Sequence, residues 1–276
     1  YLEMKNDQEK LYHHRWGSNN SFNAQVGMDY TWHAQQSQVN GEPGYIWLNN
    51  ARTKGRFKDG QRLDDINVAG FNPCVEQQLE DAELCCLVET FPAKHDNLED
   101  YLRTLKIAYL YGKTITLSNT HWPETNAKML KNRRIGLSQS GVVQAFNKHG
   151  RRQMYEWCDE AYKHVQELDE EYSNWLCIPK SVRMTSIKPS GTVSLLNGST
   201  PGIHFPESEY YIRRIRFSKD SKVLANLEKA GYNIEDDEYS PNTKVAEFPV
   251  HERFFTKGKK SVSMWEQLEI AAQYQY

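Results

Sequence analysis

Residues 71–92 read FNPCVEQQLEDAELCCLVETFP, and the opening of that run, Asn72-Pro73-Cys74-Val75-Glu76, sets an amide, a thiol and a carboxylate at alternating positions. In an extended segment, positions i, i+2 and i+4 share one face. The three side chains are then expected to form a preformed reactive surface, with Pro73 and Val75 turned the other way and anchored in apolar surroundings. A carboxylate beside a thiol disfavours the thiolate, so Glu76 serves a nucleophilic cysteine poorly. A thiol that gives and takes a hydrogen atom has no need to ionise, and the carboxylate is then free to act as general base toward a substrate. Cys85, later in the same run, suggests a reductant close by. An isolated Cys-x-Glu is ordinarily a packed thiol next to a solvated carboxylate, and the surrounding sequence decides against that here.

A second stretch has its own chemical logic. Lys188-Pro189-Ser190-Gly191-Thr192-Val193-Ser194 follows a β-like run, Val182 to Ile187, and precedes the apolar pair Leu195-Leu196. That order suggests a strand turning into a helix. Small residues let backbone N–H groups approach an anion, hydroxyls add donors, and a helix N-terminus adds a favourable partial charge. Ser190, Gly191, Thr192, Val193 and Ser194 are therefore candidate phosphate-binding residues. Taken alone, PSGT also describes a turn with a helix cap.

The segment from Phe71 to Pro92 resembles the finger loop of ribonucleotide reductases, most of all the adenosylcobalamin-dependent class. Met184 to Phe217, MTSIKPSGTVSLLNGSTPGIHFPESEYYIRRIRF, resembles the phosphate loop and following strand of the same enzymes, in particular the monomeric ribonucleoside-triphosphate reductase type. Weaker likeness runs through RWGSNNSFNAQVGMDY, GEPGYIWLNNAR, THWPETN and KNRRIGLSQSG, so nearly the whole chain is covered. The resemblance implies an α/β fold: the middle of a ten-stranded α/β barrel, with the finger loop, about residues 71–92, at its centre and the phosphate loop at about 188–196. It implies that Cys74 becomes the thiyl radical that abstracts the ribose 3′-hydrogen, and that Glu76 takes the 3′-hydroxyl proton. Asn72 would hydrogen-bond the sugar hydroxyls, and Cys85 would be one cysteine of the reducing pair. Adenosylcobalamin is the implied cofactor, a ribonucleoside tri- or diphosphate the substrate, and a thioredoxin-like dithiol the reductant. A deoxynucleotide or ATP is the implied allosteric effector, through regions outside this chain.

The partner of Cys85 is expected well upstream, yet no suitable cysteine precedes Cys74. With a start at Tyr1 and a stop at Tyr276 inside a helical pattern, both ends are expected to be cut, leaving one partial catalytic domain over residues 1–276. The alternative is a catalytically incomplete or non-catalytic α/β module that retains the motifs. Cys86, Cys158 and Cys177 read as structural thiols, the last two in helical or core-facing segments.

Composition sets limits. The 276 residues, 38% hydrophobic, suffice for one large core or two modest ones. A net charge of −2 gives no general affinity for nucleic acid. The basic clusters Lys131 to Arg134, Arg213 to Arg216 and Lys257 to Lys260 read as solvated faces. No apolar run approaches the roughly 20 residues that span a bilayer, and no secretory signal opens the chain, so a cytoplasmic setting with no membrane is expected. Five cysteines without regular spacing oppose a disulfide scaffold or a zinc site, so no metal ligands are assigned. His13-His14 reads as a surface pair.

Helices and strands alternate, as α/β architecture requires. Asn97 is placed to cap a helix with Leu98, Tyr101, Leu102, Leu105, Ala108 and Tyr109 on its inner face. A second helix fits Arg151 to Trp175, and Ser263-Met264-Trp265-Glu266 has capping-box spacing before a last one. Strands are expected at Tyr45 to Leu48, Arg134 to Leu137, Val182 to Ile187, Tyr211 to Phe217 and Lys244 to Val250.

Overall fold

The computed structural model describes residues 7–10 and 18–276; His13-His14 and Arg15 to Gly17 lie outside the described residues. Strand β1, Ser21–Asn23, pairs in parallel with β2, Gly44–Ile46, across helix α1, Thr31–Asn40. The strand expected at Tyr45 to Leu48 ends early, because Leu48 opens helix α2, Leu48–Thr53. Asn23 Oδ1 accepts the Leu48 N–H at 3.3 Å and so supplies that first-turn amide with a partner.

Strands β3, Gly70–Phe71, and β4, Gln78–Leu79, pair antiparallel and form the stem of the finger loop. The chain returns into β5, Leu87–Thr90, which runs parallel to β6, Gly136–Gln139. Helices α3, Leu98–Ile115, and α4, Pro123–Asn132, make the crossover that a parallel pair demands. Helices α5, Val142–His149, and α6, Arg151–Leu176, follow. The run Val182 to Ile187 joins β6 only through a bridge between Leu137 and Thr185. The N–H groups of Ile135 and Leu137 reach the neighbouring carbonyls of Arg183 and Met184, at 2.9 and 3.0 Å. The register slips by one residue, which interrupts a regular strand there.

Beyond the short helix α7, Val193–Leu196, come β7, Tyr210–Ser218, helix α8, Lys222–Lys229, β8, Ile234–Asp236, and β9, Thr243–His251. These three strands form a separate antiparallel sheet in the order β7-β9-β8. The last helix, α9, Met264–Gln275, opens with Ser263 Oγ accepting the Glu266 N–H, as its spacing predicts.

The core lies where α3 and α6 pack over β6, with Tyr101, Leu105, Tyr109, Ile135, Leu137, Met154, Trp157, Val165 and Tyr172 buried together. Asn97 Oδ1 accepts the Asp100 N–H at 2.9 Å, the expected cap. A buried ion pair, Lys113 Nζ to Asp169 Oδ1 at 2.6 Å, joins the two helices, and Asp169 also accepts from Tyr109 and from the Ser181 N–H. Among the described residues no helix is long and apolar enough to cross a membrane.

Two expectations give way to packing. Asn132, Arg133 and Arg134 are buried, not solvated. Arg134 forks onto Asp65 at 2.7 and 2.9 Å and reaches Glu83 at 3.1 Å, while Arg133 donates to the Leu130 and Thr116 carbonyls. Cys177 is exposed, in the left-handed position that ends α6.

Candidate active site

The finger loop is seated by charge. Asp65 precedes its stem and Glu83 follows it, and Arg134 holds both, with Arg183 adding a further bond to Asp65 at 2.9 Å. Gln77, just past the tip, is packed against Gly136 so closely that a Cβ there would lie 2.2 Å from its amide nitrogen. A larger residue at 136 would have to displace the Gln77 amide and the Leu87 side chain.

The tip is a turn rather than an extended segment, which corrects the alternating surface expected from the sequence. Val75 has φ +64°, a left-handed conformation costly for a β-branched residue, and it breaks the period of two. Asn72 is drawn inward: its N–H and Oδ1 both bond Gln77, each at 3.0 Å, and its carbonyl accepts from Val75 at 2.9 Å. Val75 is not anchored away from the reactive side; with Glu76 it lines a cavity of about 1220 Å³.

Cys74 stands exposed at the tip. Glu76, its side chain 1% exposed, pairs through Oε1 with Lys188 Nζ at 3.0 Å, and its Oε2 is buried with no partner. The same ammonium lies 3.9 Å from Cys74 Sγ. Burial works against the Lys188 charge, but the bond to Glu76 outweighs it, with Cys74 and Cys85 adding, so the ammonium titrates above the usual lysine range. One cation thus gathers two of the four candidate groups of the finger loop, Cys74 and Glu76, while Asn72 is engaged elsewhere. Ser186 Oγ donates to the Glu76 carbonyl at 2.8 Å and ties the tip to the strand leading into the phosphate loop. Cys85 is exposed; Cys86 is buried with its sulfur 3.5 Å from the Gly112 carbonyl, and burial, with Cys85 beside it, pushes its thiol up to about 11. Cys86 is a packed thiol, as its sequence context suggests.

In the phosphate loop, Ser190 takes φ +52° and sits buried, as does Ser194. Gly191, Thr192 and Val193 are exposed, and no protein acceptor takes their N–H groups among the described residues. Arg213 donates to the Gly191 carbonyl at 2.8 Å, and Arg216 pairs with Asp237. Lys188 and Pro189 line the cavity beside Glu76, so the loop begins at the same wall that the fingertip faces.

Lys188 is the residue that sequence reasoning left without a role. It stands immediately before the PSGT run, but nothing local indicates that it reaches a carboxylate 112 residues away.

No family model matches the chain. A probable adenosylcobalamin-dependent ribonucleoside-triphosphate reductase of Dictyostelium discoideum is 50% identical over 99% of the chain and 36% of its own length. The adenosylcobalamin-dependent ribonucleoside-triphosphate reductase of Euglena gracilis is 48% identical over 93% of the chain and 35% of its own length. The crystal structure of a B-12 dependent, class II ribonucleotide reductase superposes with a TM-score of 0.86 at 34% identity, over 99% of the chain and 43% of that protein. The fold is therefore that of an α/β barrel, present here in part. The chain belongs to the ribonucleotide reductase family and spans about a third of the length of the curated relatives it matches.

Proposed function

We propose that this chain contributes the radical site and the phosphate loop of an adenosylcobalamin-dependent ribonucleotide reductase acting on ribonucleoside triphosphates. The observation that carries the reading is the meeting of Cys74 and Glu76 at Lys188, the first residue of the phosphate loop. A nucleotide with its phosphates at residues 190–194 then has its sugar near the fingertip. The exposed tip thiol fits a radical delivered from a cofactor seated against it. Adenosylcobalamin, when bound, would supply the radical chemistry, and Cys74 is the group of this chain that would receive the radical.

Cys74, as the thiyl radical, takes the 3′-hydrogen and becomes a thiol while the carbon keeps the unpaired electron. The Oε2 of Glu76, which has no partner in the protein, is the acceptor for the 3′-hydroxyl proton. The 2′-hydroxyl leaves as water with a proton from one thiol of the reducing pair. Cys85 and a second thiol together supply two electrons and two protons, the second hydrogen going to C2′, and close to a disulfide; Glu76 then returns its proton to the 3′-oxygen and Cys74 its hydrogen to C3′. Asn72 Oδ1 is held by Gln77, which leaves its amide NH2 as the group for a sugar hydroxyl. A thioredoxin-type dithiol would reopen the disulfide, a deoxynucleotide or ATP would regulate from elsewhere in the enzyme, and the setting would be cytoplasmic.

The test is Cys74→Ser in the full-length protein with adenosylcobalamin and a dithiol. Deoxynucleotide formation is expected to vanish with the thermal midpoint nearly unchanged, since the swap alters little volume. Retained turnover would overturn the assignment.

A further inference from the structure

A carboxyl near the end of the 71–92 run, to which the sequence assigns no role, lies beneath the phosphate loop. Glu89, on β5, accepts a hydrogen bond from Ser140 Oγ, and Ser138 Oγ lies 3.5 Å from the same carboxyl oxygen. Both serines are fully buried at the end of β6. Each has a second bond: the Ser138 oxygen accepts the Lys188 N–H at 2.9 Å, and the Ser140 oxygen accepts the Gly202 N–H at 3.0 Å. Lys188 and Gly202 are the two ends of the loop. They touch, for Gly202 has φ +48° and a Cβ on it would lie 2.5 Å from the Lys188 carbonyl oxygen. The buried Ser190 hydroxyl sits near the same carboxyl, outside hydrogen-bonding geometry.

A serine hydroxyl has one proton and two lone pairs. With its proton given to Glu89, each serine must present lone pairs to the loop amides. Without that acceptor the hydroxyl rotates freely, and its own donor competes with the amide it should receive. We propose that Glu89 is a positioning residue for substrate phosphate: by fixing the Ser138 and Ser140 hydroxyls it clasps both ends of loop 188–202 and sets the distance between Lys188 and the open N–H groups of Gly191 to Val193. The inference rests on the phosphate-loop reading given above. Burial raises the Glu89 carboxyl above the usual glutamate range, against the opposing hydroxyls and Lys188. Both serine hydroxyls address the same carboxyl oxygen, a role that an amide oxygen fills as well. Glutamine should therefore replace it, and leucine should not.

The experiment uses the full-length protein with adenosylcobalamin and a dithiol, comparing E89Q, E89L and S140A. Leaving buried groups unpaired in this way is worth about 1–3 kcal/mol, or roughly tenfold and more in affinity. E89L and S140A are expected to raise KM for a ribonucleoside triphosphate at least about tenfold, with kcat within about threefold, and to weaken labelled triphosphate binding in equilibrium dialysis to the same extent. E89Q is expected to stay within about threefold of wild type in both. If E89L misfolds, S140A and E89Q decide the matter. The proposal falls if S140A binds triphosphate like wild type, or if E89Q is impaired as much as E89L. A wild-type protein that binds triphosphate through this clasp yet reduces nothing would refute the catalytic reading alone.

Discussion

Glu76 divides its carboxylate between two tasks, one oxygen paired to Lys188 and the other buried without a partner. Replacing Glu76 by Gln keeps the shape and removes the base. Single-turnover reduction should then slow about 10²–10⁴-fold, the usual worth of a positioned general base, with substrate affinity little changed. A slowing under tenfold would show that another group takes the proton. Lys188→Met leaves the buried carboxylate unpaired, and the resulting loss of stability should be about 1–3 kcal/mol in urea unfolding. An unchanged urea midpoint would mean that water replaces the ammonium. The thiol and the carboxylate were legible in the sequence because they are neighbours. Lys188 and Glu89 were not, because a cation and a carboxyl acquire their partners only when distant segments meet.

Among the elements, α4 docks on the finger loop through Glu80, which accepts from Lys128 at 2.6 Å, Lys131 at 3.0 Å and Asn132 at 3.1 Å. Burial alone would raise that carboxyl, but these bonds reverse the effect and hold it at about 2, against an ordinary 4.5. A group with a depressed folded value stabilises fully above its unfolded value. That contribution is lost as pH falls from 4.5 toward 2, and integrates to about 3 kcal/mol. Urea unfolding at pH 6 and pH 3 should therefore show a steeper acid loss in wild type than in Glu80→Gln; parallel slopes would refute the linkage. Helices α3, α6 and α9 were legible from caps and 3.6-residue spacing, as were strands β7 and β9, though not their antiparallel pairing. The run before the phosphate loop was not. Its apolar pattern reads as a strand, and only the slipped bonding to β6 shows why a regular ladder fails.

At the scale of the whole molecule, the site depends on an electrostatic seat. Arg134 is fully buried and holds Asp65 on one side of the finger loop and Glu83 on the other, with Arg183 sharing Asp65. In sequence this arginine looked like part of a solvated basic cluster. Charge counting along the chain cannot tell an exposed Lys131 from a buried Arg134, since the difference lies in which acids fold against them. Removing one member of a buried network strands the others, at a cost of about 3–5 kcal/mol. Arg134→Met should therefore lower stability by that amount in urea unfolding, and turnover should fall further than stability alone explains, because the fingertip loses its register with Lys188. Replacing Asp65, Glu83, Arg134 and Arg183 together by apolar residues of similar size should recover much of the stability. It should not recover turnover, since the forked bonds also fix where the loop lies. If the single substitution costs under about 1 kcal/mol, water is entering the seat. If the fourfold variant regains full turnover, the loop is held by Gln77 packed on Gly136, and the arginines serve the fold alone.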